Sequence, residues 1–271
     1  MTDKVNLDAY FARIGYSGPP APTLETLCAL HLLHTAAIPF ENIDPVMGRP
    51  VPLDLASLEK KLIHQRRGGY CFEQNSLFLH VLWAMGYKAA GLSARVLRGR
   101  PEHLSPRSHM LMRIWLPQGE YVADVGFGSL TLTAPLRLHD ESEQETPHGL
   151  FRIVKAGDEF EQLAPQEGGW QTQYRFTLHE QQMQDYEALN WYRATHPQSP
   201  FVVNLIGARP LPGKRLSLRN NQFTVRYAGG RMERRMLSSP AGIAEVLENE
   251  FGIALPAPRA ELERALARFV S

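Results

Sequence analysis

The sequence is poor in cysteine: only Cys28 and Cys71 occur among 271 residues. Disulfide scaffolds are short and cysteine-rich, and a zinc site built from cysteines needs more ligands close together, so neither is expected here. The chain also lacks the ~18-residue uncharged apolar run that spans a bilayer, and its first residues lack the apolar core of a signal peptide. We therefore expect no metal, no membrane contact, and a reducing cytoplasm in which free thiols persist.

The sequence also lacks an excess of charge of one sign. Lys and Arg number 29 and Asp and Glu 28, which gives a net charge of +1. Nucleic-acid and anionic-membrane binders usually carry a strong basic excess, so the bulk charge argues against both partners. The hydrophobic fraction of 44% is ordinary for a globular protein, and this length allows one large domain or two to three small ones.

The first third of the chain reads as helical. An amphipathic segment at 7–14 stops at Gly15, and Thr23 and Asp54 are candidate caps for two further helices. A strongly apolar stretch at 71–85 follows a glycine pair and predicts a buried helix that ends at Gly86.

The pattern then changes to period-two alternation, which favours strands at 89–97, 109–116, 121–125, 150–154 and 174–178. A polar stretch at 190–200 reads as a loop and a boundary. Beyond it, strands are predicted at 216–218, 223–227 and 231–237, followed by a helix that starts at Ser239-Pro240 and a final helix at 257–270. Helices, then strands, then a mixture of both indicate an α+β fold.

Cys71 lies in the most informative segment, Arg-Gly-Gly-Tyr-Cys-Phe-Glu-Gln-Asn at 67–75. The glycines permit a close backbone approach, and the cysteine falls at the predicted start of a helix, where free N–H groups and the helix dipole favour an anion. The same N–H groups can bind a developing oxyanion. This arrangement suits a thiolate nucleophile, whereas the bland alternative is a small buried residue. Cys28 has no such context, and we interpret it as a core residue.

A cysteine nucleophile needs a base and a residue that orients the base. Of ten histidines, His109 is the candidate because it begins a predicted strand, on the face opposite the methionines of that strand. Asp124 lies in the next strand among apolar residues, where an unpaired carboxylate is costly and an imidazole N–H would satisfy it. A four-residue turn at 117–120 would place Asp124 opposite Arg113, so contact with His109 would need a register shift or a bulge. An ion pair between Asp124 and Arg113 therefore remains an alternative.

Several segments together make the chain resemble the arylamine N-acetyltransferases, including their bacterial N-hydroxyarylamine O-acetyltransferase members. The family pattern Arg-Gly-Gly-x-Cys-x-Glu-x-Asn is met at 67–75, and Pro-Phe-Glu-Asn at 39–42. The histidine segment is matched by Ser-His-Met-Leu at 108–111 and the aspartate segment by Ala-Asp-Val-Gly-Phe-Gly at 123–128. These segments follow the family's order, and the likeness is weakest beyond about residue 190.

This resemblance implies a catalytic triad in which Cys71 is acetylated, His109 is the base and Asp124 orients it. It implies three parts: a helical bundle with the nucleophile (1–86), a β-barrel-like domain with the other two residues (87–190) and a C-terminal α/β lid (191–271). The first two parts together are similar to the core of papain-like cysteine proteases. Acetyl-CoA is implied as the co-substrate of a two-step ping-pong cycle, with an aromatic amine, hydrazine or N-hydroxyarylamine as acceptor.

The resemblance also implies secondary sites. Four residues match positions that line the acceptor pocket of the family: Phe40, Phe127, Ser129 and Thr131. Gly126 and Gly128 are candidate CoA contacts, although tight backbone packing explains them more simply. Arg67 and Glu41 resemble an ion pair beneath the site. Among the basic residues of the last third, Arg209, Lys214, Arg215 and Arg219 are either contacts of the CoA phosphates or a solvated face, and the second reading is preferred.

Two other functions stay open at this point. The same triad could pass the acyl group to water, as a thiol hydrolase or protease does. Alternatively, the chain could be a binding module that keeps the fold without the chemistry. The sequence does not settle the acceptor, the acyl chain preference or the oligomeric state.

Overall fold

We describe a computed structural model of the chain, covering residues 4–97, 106–256 and 258–270. Ala257, the predicted first residue of the final helix, lies outside the described residues. Within these ranges, none of the helices is both long and apolar enough to cross a bilayer.

The N-terminal region is helical, as predicted. Thr23 and Asp54 cap the second and fourth helices by accepting the N–H groups of Thr26 and Ser57. The helices are α1 (Leu7–Ile14), α2 (Leu24–Ala37), α3 (Ile43–Val46), α4 (Leu55–Leu58), which continues as a π-helical segment (Glu59–His64), and α5 (Cys71–Ala84).

Helix α5 runs through the middle of the protein, which explains its apolar composition. A helix that is hydrophobic on all sides has no solvent face and must be surrounded by protein. Leu77, Phe78 and Val81 are fully buried, and α5 packs against strands as well as against other helices. The helix ends near Gly86, whose φ of 85° is the left-handed conformation that suits glycine.

The central region is an antiparallel sheet of eight strands in the order β5-β4-β3-β2-β9-β8-β7-β6. Its two edges meet, because Arg137 in β5 and Gln144 in β6 exchange hydrogen bonds of 2.7 and 2.9 Å, so the sheet is a nearly closed barrel. Its strands are β2 (Lys88–Val96), β3 (His109–Leu116), β4 (Gly119–Ala123), β5 (Leu136–Arg137), β6 (Gln144–Thr146), β7 (Gly149–Ala156), β8 (Glu159–Gln166) and β9 (Gly169–Gln181).

The hairpin between β3 and β4 differs from the prediction. Its turn contains two residues instead of four, since Leu116 pairs with Gly119, and Arg113 therefore lies opposite Val122. The predicted opposition of Asp124 and Arg113 is wrong. Arg113 instead forms an ion pair of 2.7 Å with Glu120 in the same hairpin.

The C-terminal region holds a second sheet packed with helices. Its first strand, β1 (Phe40–Glu41), comes from the N-terminal part of the chain, and the order is β1-β10-β11-β12-β13. The predicted loop at 190–200 is wrong in its first half, because helix α6 continues to Thr195. The elements are α6 (Met183–Thr195), α7 (Pro200–Val203), β10 (Ile206–Leu211), β11 (Lys214–Arg219), β12 (Gln222–Tyr227), β13 (Met232–Met236), α8 (Pro240–Asn249) and α9 (Arg259–Leu266), with a 3₁₀ turn at Ala267–Phe269.

Strand β1 (Phe40–Glu41) connects the N-terminal helices to this second sheet by pairing with β10. Buried Asn42 adds to the connection, since its amide donates to the carbonyl oxygens of Phe201 and Asn204, each at 2.7 Å. Residues 40–42 are thereby fixed against the C-terminal region.

Strand β3 separates two hydrophobic cores. Met110, Met112 and Ile114 belong to the core that contains α5, whereas Leu111 belongs to the core of the barrel. His109 shares the parity of Leu111 and lies at the first residue of the strand, so it stands where the barrel meets the start of α5.

Candidate active site

Cys71 is the first residue of α5, and its side chain is only 3% exposed. The carboxylate of Glu73 accepts the N–H of Tyr70 at 3.0 Å and fixes the start of the helix. The preceding glycines are required by close packing: a Cβ on Gly68 would lie 2.1 Å from the carbonyl oxygen of Pro39, and one on Gly69 would lie 2.7 Å from Glu73. The sequence-based reason for the glycine pair is thus confirmed.

His109 is held by Asp124 through a hydrogen bond of 2.7 Å between Nε2 and Oδ2. Its other side contacts Cys71, which leaves Nδ1 to face the sulfur. Burial lowers the pKa of His109, but the charge of Asp124, the hydrogen bond to it and the contact with Cys71 outweigh burial and raise the pKa to about 10. Burial raises the pKa of Asp124, but the charge of His109 and hydrogen bonds from His109, Gly126 and Asn75 together lower it below its usual value. The pair is therefore an imidazolium and a carboxylate at neutral pH.

Asp124 reaches His109 because it comes directly after the end of β4. Continuing the hairpin register would place Asp124 opposite Leu111, two residues from His109 and on the same face, where diagonal contact is possible. No bulge in β3 or β4 is needed. Its second oxygen, Oδ1, accepts the N–H of Gly126 at 3.0 Å, so both oxygens are occupied.

Asn75 is a site residue whose role the sequence did not reveal. It lies one turn after Cys71 on α5, and its amide donates to Asp124 Oδ1 at 3.1 Å and to the carbonyl oxygen of Met110 at 2.7 Å. Its oxygen accepts the N–H of Val125 at 2.9 Å. Asn75 thus joins α5 to β3 and to the residues directly after β4, and its place in the nine-residue motif was the one available signal.

His31 on α2 is a second residue that sequence reasoning left without a role. Its Nε2 accepts the backbone N–H of Asp124 at 3.2 Å. Burial lowers the pKa of His31 to about 4, although Asp124 opposes this change. A neutral imidazole is what this hydrogen bond requires, because a protonated Nε2 could not accept.

A buried cluster of charged side chains lies beneath the start of α5, and it contains the predicted Arg67–Glu41 ion pair at 2.8 Å. Lys61 contacts Asp44 at 2.6 Å and Glu73 at 2.5 Å. Burial raises the pKa of Glu73 to about 7, against the opposing charge of Lys61. The cluster connects strand β1, the π-helical segment and the cap of the nucleophile helix.

Of the four predicted acceptor-pocket residues, Phe127 lies against His109, whereas Phe40 lies in β1 beside Gly69. Phe127 is partly exposed, and its ring packs edge-on against His109 with a centroid distance of 5.0 Å. Phe40 is nearly buried and packs edge-on against Phe201 at 6.0 Å. Tyr174, which the sequence did not single out, packs on both His109 and Phe127 at 5.0 and 4.9 Å.

The other two predicted residues, Ser129 and Thr131, belong to the loop that follows Asp124. The hydroxyl of Thr131 accepts the N–H of Phe127 at 3.2 Å and donates to the carbonyl oxygen of Asp124 at 3.1 Å. This bonding shapes the loop. Arg215 closes its far side by donating to the carbonyl oxygen of Thr131 at 3.0 Å.

Gly126 and Gly128 differ in their surroundings. A Cβ on Gly126 would lie 2.7 Å from the Cα atom of Cys71, so this position is set by backbone packing against the first residue of α5. Gly128 has a φ of 89°, and its nearest neighbours are atoms of the Phe40 ring at 3.7 Å or more. Its backbone is the more open of the two.

Two of the four candidate phosphate-binding cations are engaged elsewhere. Arg209 donates to the carbonyl oxygen of Ala36 at 2.7 Å, and Arg215 donates to the loop at 129–131. Both guanidinium groups are largely desolvated, and burial lowers the pKa of each. They therefore do not form the solvated face that was preferred at the outset.

The site as a whole combines a cysteine at a helix start, an imidazolium beside it and a carboxylate with both oxygens occupied. Such a set can activate a thiol, transfer a proton and hold an oxyanion on backbone N–H groups. Within residues 4–97, 106–256 and 258–270, no three His, Cys, Asp or Glu side chains are grouped as metal ligands.

The chain as a whole, and not only the site, is similar to known proteins. The family described as N-acetyltransferase matches residues 23–260. The arylamine N-acetyltransferase of Escherichia coli is 44% identical over 248 residues, which cover 91% of this chain and 88% of that protein. The arylamine N-acetyltransferase / N-hydroxyarylamine O-acetyltransferase of Salmonella typhimurium is 40% identical with the same coverage.

Solved structures extend the likeness to the fold. The structure of Mycobacterium marinum arylamine N-acetyltransferase in complex with CoA superposes with a TM-score of 0.94 at 35% identity, covering 98% of this chain and 100% of that one. The predicted α+β class with a papain-like core is thereby confirmed. The chain belongs to the arylamine N-acetyltransferase family of acetyl-transferring enzymes.

Proposed function

We propose that this enzyme moves an acetyl group from acetyl-CoA to an aromatic amine, hydrazine or N-hydroxyarylamine through an acetyl-Cys71 intermediate. The observation that carries the proposal is the contact series Cys71–His109–Asp124 at the start of α5, with its 2.7 Å hydrogen bond between imidazole and carboxylate. The activities of the E. coli and S. typhimurium relatives support the class of acceptor, and the CoA complex of the M. marinum enzyme supports the donor.

In the first half-reaction, the Cys71 thiolate attacks the carbonyl carbon of the acetyl thioester. A new bond forms between that carbon and Sγ, and the N–H groups of the first turn of α5 hold the oxyanion. The bond to the CoA sulfur then breaks, and the CoA thiolate takes its proton from the imidazolium of His109. This leaves acetyl-Cys71 and a neutral imidazole.

In the second half-reaction, the acceptor nitrogen, or the hydroxyl oxygen of an N-hydroxyarylamine, attacks the same carbon. His109 removes the acceptor's proton as a general base and returns to the imidazolium. The bond to Sγ breaks, and the thiolate is restored beside the cation. Asp124 holds the imidazole ring in place in both halves.

The aromatic residues at the site fit the proposed acceptor. Arylamines are weakly basic and largely uncharged at neutral pH, so apolar ring surfaces suit them better than a charged pocket. Phe127 is partly exposed beside His109, and Phe40 lies at the neighbouring strand β1. We propose that these two rings contact the acceptor, with Ser129 and Thr131 on the loop beside them, and that the open backbone of Gly128 faces CoA.

The test is mass spectrometry after mixing the enzyme with acetyl-CoA and no amine. We expect one acetyl group on the peptide that contains Cys71, and its release when an arylamine is added. The chain offers a matched control, since Cys28 is the other cysteine and is not part of the site. Cys28→Ala should retain the label and Cys71→Ala should lose it.

The same experiment separates the rival functions. Labelling of Cys71→Ala would overturn the proposed intermediate. Rapid loss of the acetyl group in buffer without amine would show that water is the acceptor, as in a hydrolase. A wild-type protein that takes up no acetyl group would indicate a binding module.

A further inference from the structure

Arg193 on α6 approaches the proposed nucleophile from a different direction than His109 does. Its Nη2 donates a short hydrogen bond to the hydroxyl of Ser108. The backbone carbonyl of the same serine lies 3.8 Å from Sγ of Cys71, and the next residue in sequence is His109. Ser108 is only 3% exposed, so the guanidinium is connected to the triad through a buried residue.

The charge of Arg193 has no carboxylate partner in the part of the chain that the structure describes. Its Nε is buried without a hydrogen-bond acceptor, and its guanidinium lies 5.7 Å from the centre of the Phe201 ring. Burial lowers the pKa of Arg193, and among neighbouring groups Cys71 opposes this most strongly, followed by Tyr192 and Tyr70. A desolvated cation is costly unless an anion compensates it. Of the groups that act on Arg193, the one that can supply a full negative charge is the Cys71 thiolate, which contacts the backbone of the same Ser108.

The elements around Cys71 contribute few other charges. Tyr70 precedes it, and Tyr186 faces it from α6. Burial raises the pKa of both phenols, so they are neutral at ordinary pH. On the side of β3 and β4, the charged groups are His109 and Asp124, which largely balance each other. On α5 itself, Glu73 is paired with Lys61. Arg193 is therefore the charged group near the sulfur that has no carboxylate partner among the described residues.

Helix α6 is held firmly enough to present this charge at a fixed place. The hydroxyl of Tyr70 donates to Asn190 at 2.5 Å, and the amide of Asn190 donates to the carbonyl oxygen of Val51 at 2.7 Å. At the end of the helix, the hydroxyl of Ser199 donates to the carbonyl oxygen of Arg193 at 2.6 Å.

From this geometry we propose that Arg193 is a positioning residue that holds Cys71 in its thiolate form and, through Ser108, fixes the start of strand β3 that carries His109. The inference rests on the proposed function of Cys71 and deepens it. Arg193 acts on the sulfur and on the backbone before His109, and it forms no bond with the reacting atoms.

The test is the pH dependence of Cys71 alkylation by iodoacetamide, which reports the thiolate fraction without acetyl-CoA or acceptor. To isolate the site, all variants are made in a Cys28→Ala background. Arg193→Met should lower the alkylation rate near pH 6 by roughly threefold to tenfold and leave the rate at high pH unchanged, because a partly buried charge shifts a neighbouring equilibrium by about half a unit to one unit. Arg193→Lys should stay within about twofold of the parent, because it keeps the charge.

Controls separate the charge from packing. Arg193→Gln, which is neutral but polar, should behave as Arg193→Met does, and it replaces that variant if methionine prevents folding as judged by circular dichroism. Ser108→Ala keeps the charge and removes the hydrogen bond. The pH midpoint of its alkylation should therefore follow that of the parent, whereas amide hydrogen exchange at the start of β3 should become faster; unchanged exchange there would overturn the part of the proposal that runs through Ser108.

Superimposable profiles for the parent and the neutral variants would overturn the proposal. An equal loss in Arg193→Lys and Arg193→Met would also overturn it, because the effect would then come from packing. Failure of the proposed function is distinguishable, since it would appear as absent acetylation of Cys71 in the parent whatever the alkylation profile of the variants.

Discussion

A single added methyl group at Gly126 should push the start of α5, which carries Cys71, away from the hairpin of β3 and β4. An ideal Cβ at this position lies 2.7 Å from the Cα atom of Cys71, 2.9 Å from Nδ2 of Asn75 and 3.3 Å from the carbonyl oxygen of Cys71. Two of these atoms are backbone atoms in the buried first turn of α5, so they cannot swing away as the end of a long side chain could. Either α5 or the loop after Asp124 must move.

The loss in free energy of unfolding for Gly126→Ala can be given as a range. Adding a methyl group to a well-packed interior typically costs 1–3 kcal/mol, and we expect about 2–3 kcal/mol for Gly126→Ala because the obstructing atoms belong to backbone. The backbone of Gly126 lies outside the left-handed region, so conformational strain adds little. Movement of a few tenths of an ångström also lengthens the Asn75 bond to Asp124, which is 3.1 Å in the native structure.

The assays are urea unfolding and the alkylation rate of Cys71. Gly126→Ala should lower both the free energy of unfolding and the alkylation rate at neutral pH. Gly86→Ala is the matched control at the other end of α5: its Cβ meets nothing within 4 Å, but its φ is 85°, so it should cost about 1–2 kcal/mol from backbone strain alone and leave the alkylation rate unchanged. A Gly126→Ala variant as stable and as reactive as the parent would refute the argument from packing.

Three further outcomes follow from the site. The pKa of His109 is raised from 6.5 in the unfolded chain to about 10 in the fold, so its contribution to stability is complete below pH 6.5 and should be lost as the pH rises toward about 10. The difference in urea stability between wild type and His109→Asn should therefore shrink over that interval. In an Asp124→Asn background this difference should not change with pH over the same interval. Asn75→Ala removes three buried hydrogen bonds and should cost roughly 2–4 kcal/mol in thermal unfolding, and a change below about 0.5 kcal/mol would contradict the role given to it. Asn42→Ala should accelerate hydrogen exchange in α7 and leave the exchange of β8 unchanged, since Asn42 binds the carbonyl oxygens of Phe201 and Asn204; equal rates in α7 would contradict it.

Local signals predicted most of the elements because each has a short-range physical cause. Ser239 caps α8 by accepting the N–H of Gly242, with Pro240 at the first helical position, as expected from the residue pair alone. The alternation along 109–116 correctly separated the methionine face from that of His109. Such patterns depend only on neighbouring residues.

The errors have a different origin. The segment at 190–200 contains polar residues, which gave it a loop-like composition, yet α6 continues there because Tyr186 and Asn190 are bound by residues distant in sequence. The turn at 117–118 was predicted two residues too long, since turn composition does not fix where pairing stops. That error shifted the register and hid the diagonal by which Asp124 reaches His109.

The residues of the site could be predicted only in part, for the same reason. Cys71 had a local motif, whereas Asn75, His31 and Tyr174 act through contacts with residues far along the chain. Histidine in a leucine-rich helix gave no sign that His31 would accept an N–H from Asp124. The triad roles themselves stay predictions that acetylation of Cys71 would test.

The charged cluster beneath α5 can influence Cys71 without touching it, because it fixes the start of the helix. Three carboxylates face two cations, and Lys61 contacts both Asp44 and Glu73. Glu73 in turn accepts the N–H of Tyr70, directly before Cys71. Lys61→Met would leave Glu73 buried beside other carboxylates without its cation, and removing one member of a buried pair typically costs about 3–5 kcal/mol.

A second substitution should recover much of this loss. Glu73→Gln keeps an oxygen that can accept the N–H of Tyr70 but carries no charge, so the double variant Lys61→Met/Glu73→Gln should be more stable than Lys61→Met alone in a urea-unfolding cycle. Exposed Lys60→Met is the matched control and should change stability by less than about 0.5 kcal/mol. If the double variant is no more stable than Lys61→Met, the lysine acts by packing its side chain, and the charge of Glu73 does not limit the stability of the helix start. If Lys61→Met also slows Cys71 alkylation and the double variant restores it, the cluster supports the proposed nucleophile by fixing the first turn of α5.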